Sequence, residues 1–286
     1  MKKMMKVLSI GEILWDVFPE RRIWGGAPAN FTFHASQFGA EAAMVSAVGK
    51  DELGCELKSE VAKAGLKLFA NEVSAPTGVS KIKLDKNGDP SYEIMEPAAW
   101  DFIELTDEAQ LFAQQADLIC FGTLAQRHEV SQKNIMKAIS LKKNEALVMF
   151  DVNFRQKYYS REMIHQSLLV SDILKLNEIE LGQVQGMFEM SERDLLRQYD
   201  LKMLMITKGK LGSQVLTAQQ NLNCPIVPCR VVDAVGAGDS FGAALVIQMM
   251  SGVELSQAQK FASEVAAYVC AKPGATVALP QKLRTI

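Results

Sequence analysis

The segment Val231 to Gly242 reads Val-Val-Asp-Ala-Val-Gly-Ala-Gly-Asp-Ser-Phe-Gly: a β-branched pair, a small-residue turn, then an apolar helix-forming stretch. Gly236, Ala237 and Gly238 put almost no side chain into the turn. Consecutive backbone N–H groups at a helix start can therefore face one anion, and the helix dipole adds partial positive charge there. Asp239 stands at the same point. A carboxylate beside an anion hole repels phosphate, so its natural use is to take the proton from a hydroxyl attacking that phosphate. The chemistry this suggests is phosphoryl transfer to an alcohol. The spacing Gly-x-Gly-x-x-x-Gly also suits a loose dinucleotide turn or plain tight packing. A dinucleotide turn usually follows the first strand of its unit and has an acidic residue about twenty positions later, and neither holds here.

The chain opens with a short apolar run, Val7 to Ile10, followed by Gly11-Glu12-Ile13-Leu14-Trp15-Asp16 and then Gly25-Gly26-Ala27-Pro28-Ala29-Asn30. The paired glycines let a ligand approach the backbone, and Pro28 suits the first turn of a helix. Asn30 projects from that turn. Asp16 and Asn30 together offer a carboxylate and an amide, a combination that holds vicinal sugar hydroxyls by paired hydrogen bonds.

These residues carry a resemblance. Gly25 to Asn30 resembles the first signature of the ribokinase-like (PfkB) carbohydrate kinases, and Asp233 to Phe241 resembles the second. Between them, Asp151-Val152-Asn153-Phe154-Arg155 is similar to the family's Asp-x-Asn-x-Arg strand end. Asn177-Glu178-Ile179-Glu180 is similar to its Asn-x-x-Glu motif, and Thr207-Lys208-Gly209 with Gly212 to its nucleotide-side turn. The motifs come in family order over essentially the whole chain. The resemblance implies a three-layer α/β sandwich with a mostly parallel sheet and a small β lid, with ATP and Mg²⁺ as cofactors. It implies that Asn177 and Glu180 organise Mg²⁺ through water, which suits a hard ion that keeps its hydration. By the same resemblance, Thr207, Lys208, Gly209 and Gly212 lie beside the nucleotide, and Asp233, Val235 and Gly274 could hold a monovalent cation such as K⁺. Most members carry Thr where this chain has Ala234, which removes a hydroxyl from the second signature.

The first signature's Ala-Pro variant, Leu124-Ala125-Gln126-Arg127 and Asp151 to Arg155 look more like fructokinases than ribokinases. The expected sugar site is thus Asp16, Gly25, Gly26, Asn30, Gln126, Arg127, Asp151, Asn153 and Arg155, and the expected reaction is fructose to fructose 6-phosphate. A 2-keto-3-deoxygluconate kinase is the near alternative, because Arg127 or Arg155 could bind a carboxylate bidentately. A catalytically silent sugar-binding regulator is the alternative from another class, and retention of Asp239 with its glycine turn argues against it.

The composition fits such an enzyme. A net charge of −2 with no basic run gives no footprint for nucleic acid. No apolar run approaches membrane-spanning length, and the stretch after Lys2, Lys3 and Lys6 is too short before Glu12 for a signal peptide, so a cytoplasmic protein is expected. The 5 cysteines lack close metal-type pairs and read as reduced thiols, and the 3 histidines rule out a histidine-rich metal site. His34, one turn beyond Asn30, either lines the sugar pocket or packs partly buried.

The positioning elements follow from periodicity. Val7 to Ile10, Ala43 to Val48, Leu118 to Phe121, Leu147 to Val152, Ile173 to Leu176 and Met203 to Thr207 read as buried strands. Helical spacing covers Glu52 to Ala64, Gln132 to Ser140 and Glu162 to Val170. The alternation predicts a mostly parallel sheet with helices on both faces, within a single domain over 1–286. Val79 to Leu84 and Ser91 to Met95 alternate with period two around Asp85 to Pro90, a hairpin signal. With the resemblance, this predicts a lid built from about 12–26 and 76–103, whose uncovered edges could pair two chains. Trp100 would either close the pocket or anchor the hairpin.

Overall fold

The computed structural model describes residues 4–18, 20–84 and 90–284. Among them run strands β1 (Lys6–Ile10), β2 (Leu14–Val17), β3 (Arg22–Gly25), β4 (Glu41–Gly49), β5 (Lys67–Val73), β6 (Val79–Leu84) and β7 (Pro90–Ile94). After them come β8 (Leu118–Gly122), β9 (Leu147–Asp151), β10 (Ile173–Asn177), β11 (Met203–Thr207), β12 (Ser213–Leu216) and β13 (Asn221–Cys224). The large sheet has the order β13-β12-β11-β10-β9-β8-β1-β4-β5. It is parallel from β11 to β5, and β12 and β13 turn back antiparallel at one edge.

The alternating side chains of the central strands explain the layers. Leu8, Ile10, Ile119, Phe121, Val148 and Phe150 face one apolar cluster, while Val7, Leu118, Cys120 and Met149 face the other. Both faces must then be covered, which is why these strands read as unbroken apolar runs. Helices Ala27–Gln37, Ala237–Met250 and Leu255–Cys270 cover one face through Phe31, Phe241 and Val265. Helices Asp107–Gln115, Glu129–Ser140, Arg161–Leu169, Glu178–Phe188 and Glu192–Gln198 cover the other. The helix expected from Gln132 begins at Glu129, because His128 caps it by accepting from the Val130 N–H at 3.3 Å.

Two of the unexpected strands, β5 and β13, are the edges of the large sheet and have polar sequences. β13 is Asn-Leu-Asn-Cys, and β5 carries Lys67, Asn71 and Glu72; polar side chains at an edge discourage further pairing and blur the apolar signal. No helix among the described residues is long and apolar enough to cross a membrane. All 5 cysteines are free.

The expected hairpin is present as β6 and β7, and the chain's opening adds β2 and β3 to give a second sheet in the order β3-β2-β6-β7. Asp85 to Asp89, part of the expected turn, lie outside the described residues. β2 and β6 are parallel and place Asp16 opposite Ser80. Ile13, Trp15 and Trp24 of this segment pack with Phe33, Leu57 and Val61. Trp100 is fully buried, with Gly78 so close that a Cβ there would stand 2.5 Å from its indole nitrogen. It anchors the base of the small sheet and does not line the cavity beneath it.

Candidate active site

A cavity of about 700 Å³ lies beyond the carboxyl ends of the central strands, between the large sheet and the small one. At its floor Gly236, with φ 76°, turns the chain into helix Ala237–Met250. A Cβ on Gly236 would fall 2.5 Å from the Ala275 side chain, so the turn requires glycine for both conformation and space. Asp239 sits in the helix's first turn, where backbone N–H groups have no intrahelical partner. The Ala237 N–H returns to the Ala234 carbonyl at 3.4 Å, a long bond.

Asp239 is held from two sides. Its Oδ2 accepts from the Asn30 side-chain amide at 2.8 Å, and Lys175 Nζ stands 3.9 Å from its Oδ1. Lys175 also donates to Asp151 Oδ2 at 2.6 Å, and both side chains are buried. Burial alone would pull the lysine's pKa down, but the Asp151 and Asp239 carboxylates overturn that and hold it above the ordinary lysine range. It is a fixed positive charge under the helix start. The sequence reading missed Lys175. Its signal was a single lysine inside Ile-Leu-Lys-Leu-Asn, where a fully buried strand tolerates a charge only if it is paired.

The first signature builds the opposite wall. A Cβ on Gly25 would meet Asp16 Oδ2 at 2.8 Å, and one on Gly26 would meet the Glu12 carbonyl oxygen at 2.4 Å. The glycines therefore admit the chain's own polar groups, where the sequence reading gave that space to ligand. Asp16 accepts a hydrogen bond from the Ser80 hydroxyl, and burial pushes its pKa up to about 6 against that bond. Asn30, Asp151, Asn153 and Arg155 line the same cavity, joined by Glu12 and Arg21, which were not expected there.

On the far side Asn177 ends β10 and caps the next helix. Its Oδ1 accepts from the Ile179 and Glu180 N–H groups, while Glu180 Oε2 accepts from the Asn177 N–H at 2.8 Å. Glu180 Oε1 accepts from the Phe154 N–H at 3.0 Å. The motif is a capping box, yet Glu180 is buried at the cavity wall. Each carboxylate oxygen retains a lone pair, which fits a magnesium ion held through water. Asp233 accepts from the Val235 N–H and the Gly274 N–H, both at 3.0 Å, so the three residues expected around a monovalent cation do converge.

Comparison with known proteins gives this geometry a family. The model of the pfkB family of carbohydrate kinases matches residues 17–282. The chain belongs to that family. It is 27% identical to the uncharacterized sugar kinase PH1459 of Pyrococcus horikoshii over 94% of this chain and 91% of that protein. It is 26% identical to the fructokinase of Klebsiella pneumoniae over 97% of each. The crystal structure of PH1459 in complex with ATP superposes with a TM-score of 0.80 at 25% identity, covering 94% of each chain.

Within this pfkB kinase, not every expected site residue reaches the cavity. Gln126 is buried beside it, donating to the Gly122 carbonyl and to Ser167 Oγ. Arg127 grips Asp101 with two bonds of 2.7 and 2.8 Å, donates to the Met95 carbonyl and stacks on Trp100 with its guanidinium 3.9 Å from the ring centre. It ties the small sheet to the large one and does not line the cavity. Thr207 lines the cavity, whereas Lys208, Gly209 and Gly212 form a turn closed by Lys208 N–H to Gly212 O and do not. Gly25, Ala237 and Gly274 also lie behind the lining. His34 is fully buried: its Nε2 donates to the Ala275 carbonyl at 2.8 Å, and burial lowers its pKa to about 4. It fastens the loop that presses on Gly236 and is a neutral packing residue outside the cavity lining. The exposed Val231 and Val232 form an apolar rim that the motifs did not announce.

Proposed function

We propose that this pfkB-type carbohydrate kinase transfers the γ-phosphoryl group of ATP to the 6-hydroxyl of D-fructose. The observation that carries the reading is Asp239, set in a helix's first turn between the Asn30 amide and the Lys175 ammonium and open to the cavity. Asp239 takes the proton of the attacking hydroxyl. The N–H groups of the Gly236 to Asp239 turn, with Lys175 behind them, stabilise charge on the group in transit. Asp16 and Asn30 hold the sugar, and the small sheet acts as a lid that excludes competing water. The likeness to a fructokinase supports the acceptor, and the ATP complex of PH1459 supports the donor.

Magnesium would sit at Asn177 and Glu180 through water and offset charge on the ATP phosphates. A monovalent cation would sit where Asp233 draws Val235 and Gly274 together. We place the enzyme in the cytoplasm and infer that two chains pair through the lid, whose edge strands are β3 and β7. A second reading, 2-keto-3-deoxygluconate as acceptor, is favoured by Arg21 and Arg155 in the lining. A coupled ADP-release screen with fructose, ribose, 2-keto-3-deoxygluconate, adenosine and tagatose 6-phosphate tests the reading. Fructose should give the highest kcat/KM and fructose 6-phosphate as product. Turnover of none would leave the chain a silent sugar-binding protein.

A further inference from the structure

Glu12 has no part in the transfer described above, yet it occupies a costly position. Only 3% of it is exposed, and Oε2 has no hydrogen-bond partner within the described chain. It lines the main cavity and also a narrow recess behind it, shared with Asp151, Asn153 and Leu124. Asn30 is in the same condition: 4% exposed, its amide nitrogen bound to Asp239, its Oδ1 without a partner. The missing Cβ of Gly26 is what lets the backbone at Glu12 come this close. Leaving a buried acceptor unmatched costs stability, so two of them facing one cavity mark where a ligand brings hydrogen-bond donors.

We propose that Glu12 is a specificity-determining residue: it binds a hydroxyl of the sugar and rejects acceptors that carry a negative charge at that end. The inference deepens the sugar-kinase reading and rests on an acceptor seated between Asp16 and Asn30. A neutral polyol can satisfy the carboxyl in either protonation state, giving a proton to the carboxylate or taking one from the acid. Burial pushes the Glu12 carboxyl up to about 7, eased by a bond from its own backbone and by Arg155, so both states serve near neutrality. A carboxylate or phosphate at the same spot meets like charge from Glu12, which Asp16 and Asp151 in the same lining reinforce. The Arg21 and Arg155 guanidinium groups that would welcome a ketoacid are thus opposed by the carboxyls of Glu12, Asp16 and Asp151.

The test compares kcat/KM for D-fructose and 2-keto-3-deoxygluconate in wild type, Glu12→Gln and Glu12→Asp, with the ketoacid measured as a competitive inhibitor where turnover is too slow. Glu12→Gln keeps the shape and removes the charge. It should lower the fructose-to-ketoacid ratio at least about tenfold, with ATP affinity unchanged, tenfold being the equivalent of about 1.4 kcal/mol. Glu12→Asp keeps the charge and withdraws the carboxyl, so it should raise KM for fructose while preserving discrimination; this variant decides if the glutamine protein does not fold. An unchanged ratio in Glu12→Gln, or an equal loss for both substrates in both variants, would mean that a water satisfies Glu12 and would overturn the proposal. Wild-type preference for the ketoacid would instead refute fructose as the acceptor, and the effect of Glu12→Gln on the ratio would still judge Glu12.

Discussion

The Asn30 side-chain amide and Asp239 Oδ2 meet at 2.8 Å across 209 residues of sequence, so the first turn of one helix holds the base carried by the first turn of another. The bond fixes one carboxylate oxygen and leaves the other toward Lys175 and the cavity. Asp239→Asn should lower kcat by at least about 10²-fold with sugar and ATP affinities nearly intact, the scale expected for loss of a general base. Asn30→Ala should cost roughly tenfold or more in kcat/KM, as for a lost hydrogen bond to a charged group. Steady-state kinetics on folded protein check both, and near-wild-type turnover by Asp239→Asn would remove Asp239 from the base role.

Lys175 and Asp151 form a buried pair, and breaking such a pair costs more than replacing it whole. Lys175→Met should destabilise the protein by about 3–5 kcal/mol, because it strands the Asp151 carboxylate in the core. Adding Asp151→Asn should restore most of that stability without restoring kcat, since the charge beneath Asp239 is gone in both proteins. Urea unfolding and turnover of the single and double variants separate the two effects. A double variant with wild-type kcat would reduce Lys175 to a structural cation.

Asp16 predicts a pH limb. Its pKa is raised from 3.8 to about 6, chiefly by burial. Above that pH the carboxylate accepts hydroxyl protons; below it the acid has lost acceptor capacity. kcat/KM for fructose should therefore fall as pH drops through about 6. In Asp16→Ala most of the efficiency should be lost at every pH, because the remaining polar groups of the pocket are left unpaired. The pH profile of kcat/KM in both proteins checks this, and an unchanged acid limb in Asp16→Ala would assign that limb to another group.

What could be read without the structure depended on how local the signal was. Asp239, Asn30 and Asp16 stand beside glycine turns and helix starts whose chemistry is written in a few consecutive residues. Lys175 was hidden because its meaning comes from neighbours on other elements: Asp151 on the adjacent strand and Asp239 on a helix crossing the sheet. Arg127 misled for the converse reason. It follows a strand end, where ligands bind, but its partner Asp101 lies 26 residues earlier in the segment leaving the lid. The central strands were legible because burial on both faces makes them apolar throughout, whereas β5 and β13 bear the polar residues of an edge.

The lid gives the last prediction. Its four strands form a separate sheet, tied to the large one by the Arg127 clamp on Asp101 and Met95 and by the close fit of Gly78 on Trp100. Both anchors lie at its base. Over the cavity it presents Leu14, Asp16, Ser80 and Ile94, so an acceptor seated there bridges the lid to Asn30 and Asp239 below. The lid's β2–β3 half is also packed on the main body through Trp15 and Trp24, so the β6–β7 hairpin is the less anchored part, marginal by itself and made rigid when its cavity side is engaged. Saturating fructose should therefore slow backbone hydrogen exchange between Val79 and Met95 more than ATP alone does, because the expected nucleotide-side groups lie off the lid: Asn177 and Thr207 end strands of the large sheet, and Glu180 is in the helix that follows Asn177. Protection from ATP alone equal to that from fructose, or no response to fructose, would make these strands fixed structure in place of a sugar-gated lid.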